Sequence, residues 1–104
     1  MSAAATSAGC EVALAADGRI QVRGELTFAT VSKVRIDCLR LFDKVRNLHI
    51  DLEGVVGADS AGLALMIDWM REARLRKRKL HFSRIPATLR IVAELSDVED
   101  LLPA

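Results

Sequence analysis

Two stretches of alternating character open the readable part of the chain. From Glu11 to Ala16 (EVALAA) and from Arg19 to Leu26 (RIQVRGEL) apolar and polar residues alternate with the period of a strand, and Asp17-Gly18 between them signals a tight hairpin. From Phe28 to Phe42 the period lengthens. Val31, Val34, Cys38, Leu41 and Phe42 recur at helical spacing, with Thr27 or Thr30 placed to cap the first turn. Asn47 to Leu52 (NLHIDL) returns to a strand, Glu53 to Asp59 reads as a glycine-containing loop, and Ser60 to about Arg78 reads as a long helix carrying Leu63, Met66, Ile67 and Met70. Lys79 to Ser83 is a fourth strand. Pro86 stands where a proline can begin a helix, Ala87 to Leu95 continues it with Leu89, Val92 and Ala93, and Val98 to Leu102 forms a last short turn before Pro103.

Strand parity then predicts the layers. Val12 and Leu14, Ile20 and Val22, Leu48, Ile50 and Leu52, and Leu80 and Phe82 share one face, leaving Arg19, Gln21, Arg23, His49, Asp51, His81 and Ser83 on a wet one. A sheet covered on both faces would have continuously apolar strands, so the helices belong on one face. Right-handed crossovers place them there when successive strands are added in one direction. The predicted fold class is α/β: a two-layer domain with a mixed four-stranded sheet, made of an N-terminal hairpin plus parallel strands, and helices mainly on one face.

Composition narrows the classes of function. The chain has 104 residues, 51% of them apolar, and a formal net charge of +1, so it holds one aliphatic core and no general attraction for nucleic acid or anionic lipid. Cys10 and Cys38 form no CxxC pair and read as reduced, structural thiols. The start MSAAATSAGC has neither a basic region nor an apolar run suited to a signal peptide, which leaves a flexible tail over residues 1–9 and one domain over residues 10–104. No uninterrupted apolar run is long enough to cross a membrane, and a cytoplasmic location is expected.

The most informative segment is GADSAGLALM, Gly57 to Met66, in which Asp59-Ser60 opens the long helix. Unpaired N–H groups and the positive dipole end at such a helix start stabilise an anion, including a phosphate carried by Ser60 itself. The plainer alternative is that Asp59 or Ser60 is an ordinary cap and Gly62 a packing residue. An enzymatic centre does not fit: GADSAG is not G-x-S-x-G, no Walker A motif is present, and neither histidine is placed as a base for Ser60. No catalytic residue and no cofactor are expected.

The order of elements, with GEL before the first helix, IDL in the third strand, DSAGLALM at the start of the long helix, and LHFSRIP and VEDLL toward the end, resembles a STAS domain over nearly the whole chain after about Gly9. Antagonists of anti-sigma factors in that family commonly carry GELD and DSS or DST followed by GLG. This chain has Gly24-Glu25-Leu26-Thr27 and Asp59-Ser60-Ala61-Gly62-Leu63-Ala64. GLALM with Trp69 and Arg71 is more similar to the MlaB-like small cytoplasmic subunit of the Mla ABC system, which moves phospholipids to keep the outer membrane asymmetric. That resemblance implies a non-enzymatic accessory subunit whose partner is the transporter's ATPase, reaching the membrane only through the complex. It places the partner-binding surface on Asp59, Ser60, Ala61, Gly62 and Leu63 and on Phe28, Ser32 and Arg35. The alternative is an antagonist that binds an anti-sigma factor kinase and is switched by phosphorylation of Ser60. For the helix-one residues ordinary solvated surface is the bland alternative, with Phe28 as a core-edge contact.

Three other groups complete the reading. Arg74, Arg76, Lys77, Arg78 and Lys79 crowd the end of helix two, either as a solvated terminus facing the negative dipole end or as a membrane-facing patch, and Asp97, Glu99 and Asp100 balance them in the total. His49, His81 and Asp51 share the wet face without forming a convincing metal site, and none is expected. Met66, Trp69 and Met70 read as core, with partial exposure of Trp69 as the alternative.

Overall fold

The computed structural model describes residues 9–95, with side chains to residue 91. The opening hairpin forms β1 (Cys10–Leu14) and β2 (Ile20–Leu26), paired antiparallel. Its turn differs from the expected two-residue one. The N–H of Gly18 donates to the Ala15 carbonyl at 3.0 Å, that of Ala15 donates to the Arg19 carbonyl at 2.8 Å, and Gly18 sits at φ +91°. Ala16-Asp17-Gly18 is thus a three-residue loop closed by a left-handed glycine, and Asp17 Oδ1 accepts the Arg19 N–H.

The remaining elements are α1 (Val31–Phe42), β3 (Asn47–Ala58), α2 (Ser60–Leu75), β4 (Lys79–Ser83) and α3 (Ala87–Leu95). The sheet order is β1-β2-β3-β4, with β2, β3 and β4 mutually parallel, and all three helices pack on one face, α2 against both α1 and α3. This is the mixed four-stranded α/β arrangement that the pattern predicts. The core joins Ile20, Val22 and Leu26 of β2, Leu48, Ile50 and Leu52 of β3 and Phe82 of β4 to Val34, Cys38 and Phe42 of α1, Met66 and Trp69 of α2 and Leu89 of α3. Trp69 is fully buried, tilted against Phe82 at 6.2 Å, so it belongs to the core and the alternative of partial exposure does not hold. Leu14, on the core side by parity, is 43% exposed at the hairpin end.

Element boundaries differ where tertiary contacts override local pattern. The first helix starts at Val31 rather than Phe28: the Thr30 hydroxyl donates to the Glu25 carbonyl at 2.7 Å, and the N–H groups of Thr30 and Val31 donate to Thr27, so residues 27–30 form a turn. Thr30 is the cap residue by position, without a side-chain capping bond. The supposed loop at 53–59 is the second half of β3 as far as Ala58. Two bulges, opposite Gln21–Arg23 and Gly24–Glu25, each insert an extra residue there and reset the parity, so that Val55 faces the core and Val56 is exposed. Helix two ends at Leu75, where Lys77 takes a left-handed conformation (φ +56°) and Arg78 N–H and Lys77 N–H donate to the carbonyls of Ala73 and Arg74, a Schellman closure. The predicted last turn at Val98–Leu102 lies outside the described residues, as do the side chains of Val92 and Ala93.

Candidate functional site at the start of helix two

Because β2 and β3 are parallel, the segments that leave their C-terminal ends meet at one end of the sheet. Asp59 follows β3 in an extended conformation and its N–H donates to the Leu26 carbonyl, the last residue of β2, at 3.2 Å. Its side chain has two tasks. Oδ1 accepts the Ala61 N–H at 2.8 Å and caps α2, while Oδ2 accepts the Phe28 N–H at 3.2 Å and holds the turn before α1. Of the two candidate caps it is therefore Asp59 that closes the helix. Ser60 is left exposed at the first helical position, beside that carboxylate and at the positive end of the helix.

Gly62 permits this closeness. A Cβ there would lie 2.7 Å from the Leu26 carbonyl oxygen and 3.0 Å from Leu26 Cβ, so only glycine lets the first turn of α2 rest on the end of β2. The buried Leu63 anchors the same turn in the core, and Ala61 is half-buried. Phe28, by contrast, is 86% exposed. A core-edge role for it is overturned: its backbone is tied to Asp59, which turns the ring outward. Ser32 is exposed one helical turn further along α1.

Of the predicted surface residues, Ser60, Phe28 and Ser32 thus share one end of the molecule with Asp59 beneath them, while Gly62 and Leu63 support the site from inside. Arg35 does not present a free charge. Its Nε binds Asp68 at 2.6 Å and its Nη2 reaches Glu72 at 3.3 Å, which fastens α1 to α2. Burial pushes the Asp68 carboxyl up, but Arg35 and Arg71 outweigh it and hold the group below its ordinary value. Val56, 76% exposed at the same end of the sheet, escapes the sequence reading because residues 53–59 read as a loop. The apolar pair Val55-Val56 between two glycines is the signal that a strand continues.

The open sheet face is less wet than predicted. Asp51 is only 3% exposed, because Arg19 Nη1 at 2.8 Å and Arg84 Nη2 at 2.5 Å close over its Oδ2, and its Oδ1 accepts the Glu53 N–H. Burial raises the Asp51 carboxyl, yet Arg84, the Glu53 N–H and Arg19 together hold it below the usual range. Cross-strand register brings His49 and His81 together at 4.9 Å between ring centroids. Among the described residues no three potential metal ligands converge. Burial pushes the Cys38 thiol up to about 12 and that of Cys10 up to about 11, so neither is a nucleophilic thiolate near neutral pH.

A family model described as "Mlab, STAS domain" matches residues 2–103. The chain belongs to this STAS family. STAS domains are protein-interaction modules, and members of the family are generally non-enzymatic regulatory or accessory proteins. No curated protein matches the sequence. Among solved structures, the anti-sigma factor antagonist SpoIIAA in its unphosphorylated form is similar at a TM-score of 0.65 and 20% identity, over 89% of this chain and 84% of that one. The Bacillus cell fate determinant SpoIIAA in its phosphorylated form is similar at a TM-score of 0.59 and 20% identity, over 89% and 87%. These likenesses show the shared fold. No helix among the described residues is long and apolar enough to cross a membrane.

Proposed function

We propose that this STAS domain, over residues 10–104 behind a tail of residues 1–9, is a non-enzymatic accessory subunit that docks on the ATPase of an Mla-type ABC phospholipid transporter at the cytoplasmic side of the inner membrane. The observation that carries this reading is the carboxylate of Asp59, which holds an exposed phenylalanine, Phe28, beside an exposed serine, Ser60, at the start of α2. The family match supports the choice of partner. An outward aromatic anchored by a rigid turn next to small polar groups suits a compact protein interface. Docking there would position the subunit without any chemistry of its own. Ser60 is exposed, so Ser60→Arg is expected to leave the thermal unfolding of the domain unchanged while abolishing co-purification with the ATPase; retention of the ATPase by a folded Ser60→Arg variant refutes the reading.

A second reading is an anti-sigma factor antagonist switched at Ser60, with an anti-sigma kinase as partner. It is favoured by the exposure of that hydroxyl and by the likeness to SpoIIAA in phosphorylated and unphosphorylated forms. A phosphate on Ser60 would stand beside the Asp59 carboxylate, and like-charge repulsion would oppose the bonds holding Phe28. Intact-mass measurement on protein from its native host separates the two: a phosphate on Ser60 that changes with growth state supports the switch, and unmodified protein recovered with an ABC ATPase supports transport.

A further inference from the structure

The end of the molecule away from Ser60 is built from residues that no docking role has absorbed. Asp43, which follows α1, accepts Arg76, which follows α2, at 2.8 Å, so the two helix ends lie side by side. The pairing of Asn47 with Lys79 places the starts of β3 and β4 next to each other. Lys44, Arg46, Arg74, Lys77, Arg78 and Lys79 are thereby gathered at one end although they come from two separate stretches of chain. Helix dipoles account for cations on the last turns, but Lys44, Arg46 and Lys79 lie outside the helices. Among the described residues the nearby acids are already occupied, Asp43 and Glu72 both by Arg76. None of the six cations has a salt bridge among the described residues, and Arg78 Nε is buried without a hydrogen-bond partner.

One apolar side chain stands among these charges. Leu75, in the last turn of α2 between Arg74 and Arg76, is 70% exposed. No phenylalanine or tryptophan ring is exposed there for bases to stack on: Phe42, Phe82 and Trp69 are buried, and Phe28 lies at the opposite end. A cluster of cations around a protruding leucine, without an exposed phenylalanine or tryptophan, matches the interfacial zone of an anionic bilayer, where headgroups meet the charges and the leucine enters the acyl boundary. We infer that the end formed by Lys44, Arg46, Arg74, Leu75, Lys77, Arg78 and Lys79 is a contact surface for anionic phospholipid membranes. The contact is direct and reversible, separate from the docking end and independent of the identity of the docked partner.

The test is co-sedimentation of the full chain with vesicles of phosphatidylcholine alone or mixed with phosphatidylglycerol. The mixed vesicles are expected to pellet the protein, less so as salt rises, and the neutral ones to leave it in solution. Each cation removed weakens binding roughly fivefold, so Arg46→Gln/Arg74→Gln loses about 25-fold, and Leu75→Ser loses binding severalfold at unchanged charge. Lys77→Gly removes one cation while relieving its left-handed backbone, so it loses about fivefold with a raised melting temperature, which distinguishes a lost contact from a lost fold. Ser60→Arg sediments like the wild type. Failure of the mixed vesicles to pellet the protein, or wild-type binding by the double glutamine variant, overturns the inference. Tighter capture by a duplex oligonucleotide, unaffected by Leu75→Ser, overturns it in favour of nucleic acid.

Discussion

The two ends of α2 are built on opposite principles. At the start, Asp59 and Gly62 bring backbone from β2, β3 and α2 into close contact, and what reaches solvent is one aromatic ring and small polar groups. At the end, the chain leaves through a left-handed lysine among cations that lack ion-pair partners in the described structure. The first end is specified by shape and tolerates little. The second is specified by charge, which acts at a distance and tolerates substitution. Rigid, sterically defined surfaces recognise one partner surface, whereas diffuse charge recognises a class of surface.

Several substitutions would sharpen that contrast. The largest effect is expected at the tight end, where Gly62→Val forces branched methyl groups against the Leu26 carbonyl and destabilises the domain by about 3 kcal/mol in chemical denaturation. Loss of the Asp59 cap in Asp59→Ala should lower stability by about 1 kcal/mol and, by releasing the Phe28 turn, weaken partner capture more than this loss of stability explains. If capture stays intact, the carboxylate is a plain cap. At the loose end the sign reverses: Lys77→Gly should stabilise by roughly 0.5 to 1 kcal/mol because glycine enters the left-handed region without strain.

The smallest effect concerns the seam between α1 and α2, and it depends on pH. Asp68 has its carboxyl held below the unfolded value by Arg35 and Arg71, against the opposing effect of burial. Its stabilising contribution is therefore present above the unfolded pKa of about 4 and is lost as pH falls through the lower folded value. Asp68→Asn should lower stability near neutrality and flatten the acid limb of a stability profile below about pH 4. Asp51 and Asp17, held low in the same direction, continue to contribute to that limb.

Much of this was legible along the chain. The four strands, the order of helices, the single covered face and the helix start at Asp59-Ser60 all follow from periodicity and turn chemistry, because a residue that packs on one face must recur with the period of its own element. The core stripe of α1 through Val34, Cys38 and Phe42 is an instance. The limits of that reading are equally physical. Bulges in β3 change parity without changing composition, so residues 53–58 do not alternate like a strand even though they pair with β2 as one.

What only the tertiary structure decided are the pairings between distant residues. Phe28 faces solvent because Asp59, 31 residues away, holds its N–H. Arg35 is engaged by Asp68, 33 residues away, rather than free for a partner, and Asp51 is buried beneath Arg19 and Arg84. The basic end exists because two helix ends and two strand starts converge. Local sequence determines which face of each element is apolar, since burial is periodic within an element. Which charged group meets which depends on how separate elements are brought together, and no period along the chain records that.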